Sequence, residues 1–172
     1  RQRLEVEEWY RLHPETEDRP LEAPLFGVSL PRTGSTALSF LLSSDPDIRY
    51  LRMWESFQPF PPPSTVEGPD PRRGATSGTF ADSDSAGKYV PSGIDGAYEC
   101  LDLMGFDFRS QMFIAYAKIP TYHQWLLDAD LTTTYAYERR VLKMLQWGEE
   151  LRPWRLKTPM HILFMDHLDK VF

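Results

Sequence analysis

Pro31-Arg32-Thr33-Gly34-Ser35-Thr36 joins two apolar segments of different period, and that junction restricts the possible folds more than any other feature. Before it, Leu25-Phe26-Gly27-Val28-Ser29-Leu30 is a short apolar run flanked by Pro24 and Pro31, the pattern of a buried strand. After it, Ala37, Leu38, Leu41 and Leu42 recur at helical spacing between Ser35 and Ser44, and Asp45-Pro46 ends the run. Ile48 to Met53 is a second candidate strand. Strand, turn, helix, strand opens a βαβ unit, so the chain is predicted to be α/β with a parallel sheet flanked by helices.

The placement of the 31–36 turn also suggests chemistry. A helix N-terminus points unpaired N–H groups outward and carries about half a positive charge, which makes it a ready anion site. Gly34 lets the backbone approach a phosphate, Ser35 and Thr36 add hydroxyls, and Arg32 adds a fork of donors. The plainer reading is an ordinary strand-to-helix turn capped by Ser or Thr. A Walker loop needs Gly-Lys-[Ser/Thr], and here Ser35 follows Gly34, so the lysine is missing. Ile162 to Asp166 imitates the apolar run plus Asp that holds magnesium, but it follows a Thr-Pro helix start and Asp166 would lie within a helix.

The rest of the chain is consistent with one domain over 1–172. Residues 3 to 13 form an amphipathic helix stopped by Pro14. From Gln58 to Tyr98 lie 7 of the 15 prolines and 6 of the 10 glycines, which predicts a long loop or lid without long regular elements. Helical patterning resumes from Glu99 to about Lys118, then from Tyr122 to Leu127 and from Thr132 to Trp147, closed by Gly148. Pro153 to Lys157 reads as a strand, and Thr158-Pro159 starts a last helix through Val171.

Three ordered blocks resemble the sulfotransferases that use 3′-phosphoadenosine 5′-phosphosulfate (PAPS), nearest the bacterial type. They are the Pro31–Thr36 loop, Trp54-Glu55 before a proline-rich stretch, and Tyr137–Leu142 with Leu145–Trp147 and Leu156–Pro159. The resemblance implies a P-loop-like fold that moves a sulfuryl group from PAPS, without a metal, to the hydroxyl of an alcohol or phenol. It puts Arg32, Thr33, Gly34, Ser35 and Thr36 on the 5′-phosphosulfate. By similarity to tyrosylprotein sulfotransferases, it makes Glu55 the acceptor base and Lys157 a stabiliser of the transferring group. The cytosolic branch uses a loop lysine, where this chain has Arg32, and a histidine base. The family's 3′-phosphate residues lie on text that would follow Phe172. The resemblance therefore implies a domain truncated at its C-terminal end, with Val171 and Phe172 beside an apolar sheet edge and PAPS binding weak in the isolated chain.

Other features narrow the partners. Lys plus Arg total 19 against 25 for Asp plus Glu, a formal charge of −6, which argues against nucleic acid held by bulk positive charge. No apolar run approaches the roughly 20 residues of a membrane span. Cys100 is the sole cysteine, which excludes an internal disulfide and a cysteine-built zinc site and fits a reducing, cytoplasmic setting. His161 and His167 are too far apart in sequence to share a helix face as ligands, and His161 reads as a core-edge residue. His123 is a candidate for an acceptor pocket, and Glu99 reads as a helix-start charge. The expected partner is a partly apolar small-molecule acceptor. The rival readings are a P-loop nucleotide kinase and a catalytically silent nucleotide-binding relative.

Overall fold

The computed structural model describes residues 1–81 and 93–172. Among them β1 (Leu25–Gly27), β2 (Arg49–Tyr50) and β3 (Trp154–Lys157) form one parallel sheet in the order β1-β3-β2. Phe26 pairs with Leu156, Gly27 with Lys157, and Tyr50 with Arg155. The strands are shorter than the apolar runs predicted. β1 stops at Gly27 because its partner β3 ends opposite it, at Lys157. β2 stops at Tyr50 because the following backbone bonds elsewhere: Tyr98 N–H donates to the Leu51 carbonyl, and Met53 N–H to that of Gly96.

Among the described residues the helices are α1 (Gln2–Leu12), α2 (Ser35–Ser43), α3 (Met53–Phe57), α4 (Pro71–Ala81), α5 (Leu101–Gly105), α6 (Met112–Tyr116), α7 (Pro120–Asp128), α8 (Thr132–Leu145) and α9 (Met165–Asp169). The helices depart from the sequence reading in three places. The proline- and glycine-rich stretch holds α4, an 11-residue helix. Its start explains why: Pro71 enters the first turn, and Asp70 Oδ1 accepts the Arg72 N–H at 3.0 Å. The other predicted positions from 82 to 92 lie outside the described residues.

The single helix expected from Glu99 to Lys118 is two short ones, α5 and α6. Between them Phe108 takes a left-handed conformation (φ 54°), and Ser110 Oγ donates to the Leu101 carbonyl at 2.7 Å. Gly105 lets the two halves close up, because a Cβ there would sit 2.5 Å from Met112 Sδ. The last helix is likewise interrupted, as a 3-10 turn over Pro159–Leu163 and then α9.

The core lies mainly on one part of the sheet. Val141, Leu142 and Leu145 of α8 pack with Trp154 and Leu156 of β3 and with Val6, Trp9 and Tyr10 of α1. A second cluster gathers Met104, Leu126, Leu131, Tyr135, Met160 and Phe164. Each fully buried side chain of this size contributes about 1.5–3 kcal/mol. By contrast α2 buries no residue, and Leu38 and Leu41 are 57% and 73% exposed. Phe172 lies edge-on to Phe26 of β1, ring centroids 4.8 Å apart, and Val171 is half-buried against the second cluster.

Candidate functional site

The turn between β1 and α2 is shaped by backbone conformation. Gly34, the N-cap of α2, has φ 84°, and Arg32 has φ 66°, both left-handed. A Cβ on Gly34 would meet nothing within 4 Å, so conformation rather than space calls for glycine there. Among the described residues no side chain caps α2. The N–H groups of its first turn therefore lack the usual internal acceptor and point outward, with the positive end of the helix dipole behind them.

A cavity of about 630 Å³ opens over this turn, a size typical of small-molecule sites. Arg32, Gly34, Ser35 and Thr36 line one side, and Tyr98, Glu99, Leu101 and Asp102 also line it. Lys157, at the end of β3, joins the two groups. Its Nζ donates to Glu99 Oε1 at 2.5 Å and to Thr36 Oγ1 at 3.4 Å. Thr158 Oγ1 donates to Glu99 Oε2 at 3.4 Å. Asp102, one helical turn from Glu99, is buried. Burial first, then the charge of Glu99, pushes its carboxyl up to about 7, against hydrogen bonds to backbone and the Ser56 hydroxyl. The cavity thus carries two cationic side chains, an open helix N-terminus and two carboxylates.

Sequence reasoning and geometry agree on Arg32, Gly34, Ser35, Thr36 and Lys157 as neighbours, and part at two residues. Thr33 does not line the cavity; its Oγ1 donates to the Leu30 carbonyl at 2.8 Å and braces the turn. Glu55 does not line it either. Its carboxylate is fully buried and clasped by Arg49, whose Nη2 and Nη1 lie 2.5 and 3.0 Å from the two oxygens. Arg52 adds its backbone N–H at 2.9 Å and Nη1 at 3.1 Å. Arg49 also reaches Glu149 at 3.1 Å and lies over the Trp154 ring. Four donors on one buried carboxylate make Glu55, in this geometry, the anchor of an ion-pair network.

The carboxylates that do face the cavity are Glu99, whose sequence context reads as a helix-start charge, and Asp102, which no motif singles out. An acidic pair three residues apart, directly after a proline- and glycine-rich stretch, was the available signal. His123 does not line the cavity, and Arg140 is bonded to Glu7 and stacked on Tyr10.

Residues 24–172 match the sulfotransferase family. The chain belongs to that family. Two crystal structures of sulfotransferases are similar to it along 99% of its length: STF9 from Mycobacterium avium, 35% identical with a TM-score of 0.84, and STF1 from Mycobacterium tuberculosis H37Rv, 30% identical with a TM-score of 0.79. The chain spans 45% and 48% of those two proteins. No curated protein sequence gives a significant match. The sulfotransferase fold here is the parallel sheet with flanking helices described above, and among the described residues no helix is long and apolar enough to cross a membrane.

Proposed function

We propose that this sulfotransferase chain carries the donor side of a PAPS-dependent site that moves a sulfuryl group to the hydroxyl of a partly apolar small molecule. One observation supports this reading above the others: an uncapped helix N-terminus, Arg32 and Lys157 meet in one cavity with two carboxylates. Transfer forms a bond between sulfur and the acceptor oxygen and breaks the bond between sulfur and the donor phosphate oxygen. Negative charge gathers on that phosphate as it leaves. Fixed cations and N–H groups at the position where charge develops supply most of the acceleration in such reactions. Arg32, Lys157 and the first turn of α2 are those groups.

The acceptor hydroxyl must also lose its proton. We assign that task to the Glu99–Asp102 pair, because both line the cavity, and not to Glu55, whose oxygens are engaged by Arg49 and Arg52. Lys157 holds Glu99 beside the loop, so the same lysine links the donor and acceptor sides. The walls from Phe40, Met112 and Tyr116 suit an acceptor with an apolar portion. A nucleotide kinase fits less well, because the loop lacks the Walker lysine.

The test uses the full-length protein. Adenosine 3′,5′-bisphosphate should raise its melting temperature, and ATP with magnesium should not. Glu99→Gln and Asp102→Asn should retain that shift and lower turnover of a phenolic acceptor by roughly 10²–10⁴-fold. Stabilisation by ATP alone would favour the kinase reading. Full turnover in both carboxylate variants would return the base to Glu55.

A further inference from the structure

Behind the cavity, three side chains that the transfer reaction does not use converge in the interior. Cys100 follows Glu99, His161 lies in the 3-10 turn after Lys157, and Glu138 projects from α8. All three are fully buried. The Cys100 sulfur, a carboxylate oxygen of Glu138 and a ring nitrogen of His161 all lie within 4.8 Å of one another. They sit at the seam of the two apolar clusters, with Cys100 in the first and Tyr135, the neighbour of His161, in the second.

This trio is under-satisfied as it stands. Among the described residues, neither the oxygens of Glu138 nor His161 Nε2 have a partner in hydrogen-bond geometry. The Cys100 thiol is the group nearest to relieving Glu138, and its weak S–H donation lowers the carboxyl's pKa less than burial raises it. Burial pushes the Glu138 carboxyl up to about 7, holds the His161 imidazole down to about 3, and raises the Cys100 thiol. A buried carboxylate without a partner is among the most costly arrangements in a protein interior. Buried groups of three different ligand types, two of them with unsatisfied polar atoms, lie close enough together to share one occupant.

We propose that Cys100, Glu138 and His161 bind a divalent cation of the zinc class. Thiolate, imidazole nitrogen and carboxylate oxygen are ligands that zinc accepts together, at about 2.0–2.3 Å each. That places ligand atoms roughly 3.3–3.8 Å apart in a tetrahedral site. Separations of up to 4.8 Å would therefore shorten by about 1.5 Å at most, a change that side-chain rotation can supply. Tyr135 supplies the expected outer support: its hydroxyl lies 3.0 Å from His161 Nδ1. When Nδ1–H donates there, Nε2 presents its lone pair to the cation. On binding, the thiol gives up its proton to solvent, as does Glu138 where it is protonated, and a water completes the fourth position. The cation would tie α5, α8 and the segment after β3 together directly behind Lys157 and Glu99. The sequence reading excluded a site built from several cysteines, and this one needs only Cys100.

The proposal stands independently of the sulfuryl-transfer reading, and its test does not use turnover. The full-length protein, reduced and stripped with chelator, is titrated with cobalt(II) and then with zinc(II). One equivalent of cobalt should produce a thiolate-to-metal charge-transfer band, and zinc should abolish it and raise the melting temperature. Cys100→Ser should remove the band, Glu138→Gln should weaken affinity by at least about 100-fold, and Tyr135→Phe by about 10-fold. Because Cys100→Ser is nearly isosteric, its fold can be checked by circular dichroism alongside. A well-folded wild type that takes up less than a tenth of an equivalent overturns the proposal. So does a Glu138→Gln variant that keeps wild-type affinity for cobalt and zinc, since Glu138 would then be a protonated core acid and not a ligand.

Discussion

α2 and α8 both pack on the central strand β3, yet they are held in opposite ways. α8 buries nine of its 14 residues, polar Thr134 and Glu138 among them. α2 buries none of its nine, and its leucines Leu38 and Leu41 point largely into solvent. The helix that presents the anion turn is thus positioned chiefly by its backbone connections, and the helix that builds the core by side-chain packing. Chemistry that relies on N–H groups and a helix dipole asks little of side-chain burial, so the two demands can be met by different helices.

Substitutions can sharpen that contrast, and the largest effect should come from the ion-pair network beside the core. Glu55→Gln leaves Arg49 buried with only Glu149 as counterion, and it should cost about 3–5 kcal/mol in urea denaturation. Loss of turnover with unchanged stability would instead put Glu55 in the reaction and break the distinction between network and cavity.

Next in size, Leu142→Ala on α8 should cost about 2–5 kcal/mol, whereas Leu41→Ala on α2 should stay within about 0.5 kcal/mol. Equal losses at the two leucines would show α2 to be covered in solution. A smaller loss of stability than at Leu142 is expected at the turn itself. Gly34→Ala forces a Cβ into φ 84° and should cost about 1–2 kcal/mol, with no clash to add to it. Its stronger effect should be on adenosine 3′,5′-bisphosphate affinity, measured by titration calorimetry, because the strained turn would relax away from the anion-binding shape.

Local pattern alone determined a good deal. The apolar run before Pro31, the helical spacing after Thr36 and the Thr158-Pro159 start required only neighbours in sequence, and each element begins where its pattern placed it, although β1 is shorter and the last helix opens as a 3-10 turn. The anion turn was legible for the same reason, since strand, glycine and helix start are contiguous. Strand lengths were not legible, because β1 ends where β3 does and β2 ends where residues 94–98 take over its hydrogen bonds. Composition misled over Pro71–Ala81, where a capping aspartate and a first-turn proline outweigh the glycines. Only the tertiary structure decided which acids face the cavity. Glu55 and Glu99 are both glutamates beside an aromatic residue, and nothing local separates them. Arg49, six residues from Glu55, turns one inward, and Lys157, 58 residues from Glu99, holds the other at the cavity. The convergence of Cys100, Glu138 and His161 has the same origin: a carboxylate's role is set by which charges the fold brings to it, and chain separation carries no record of that.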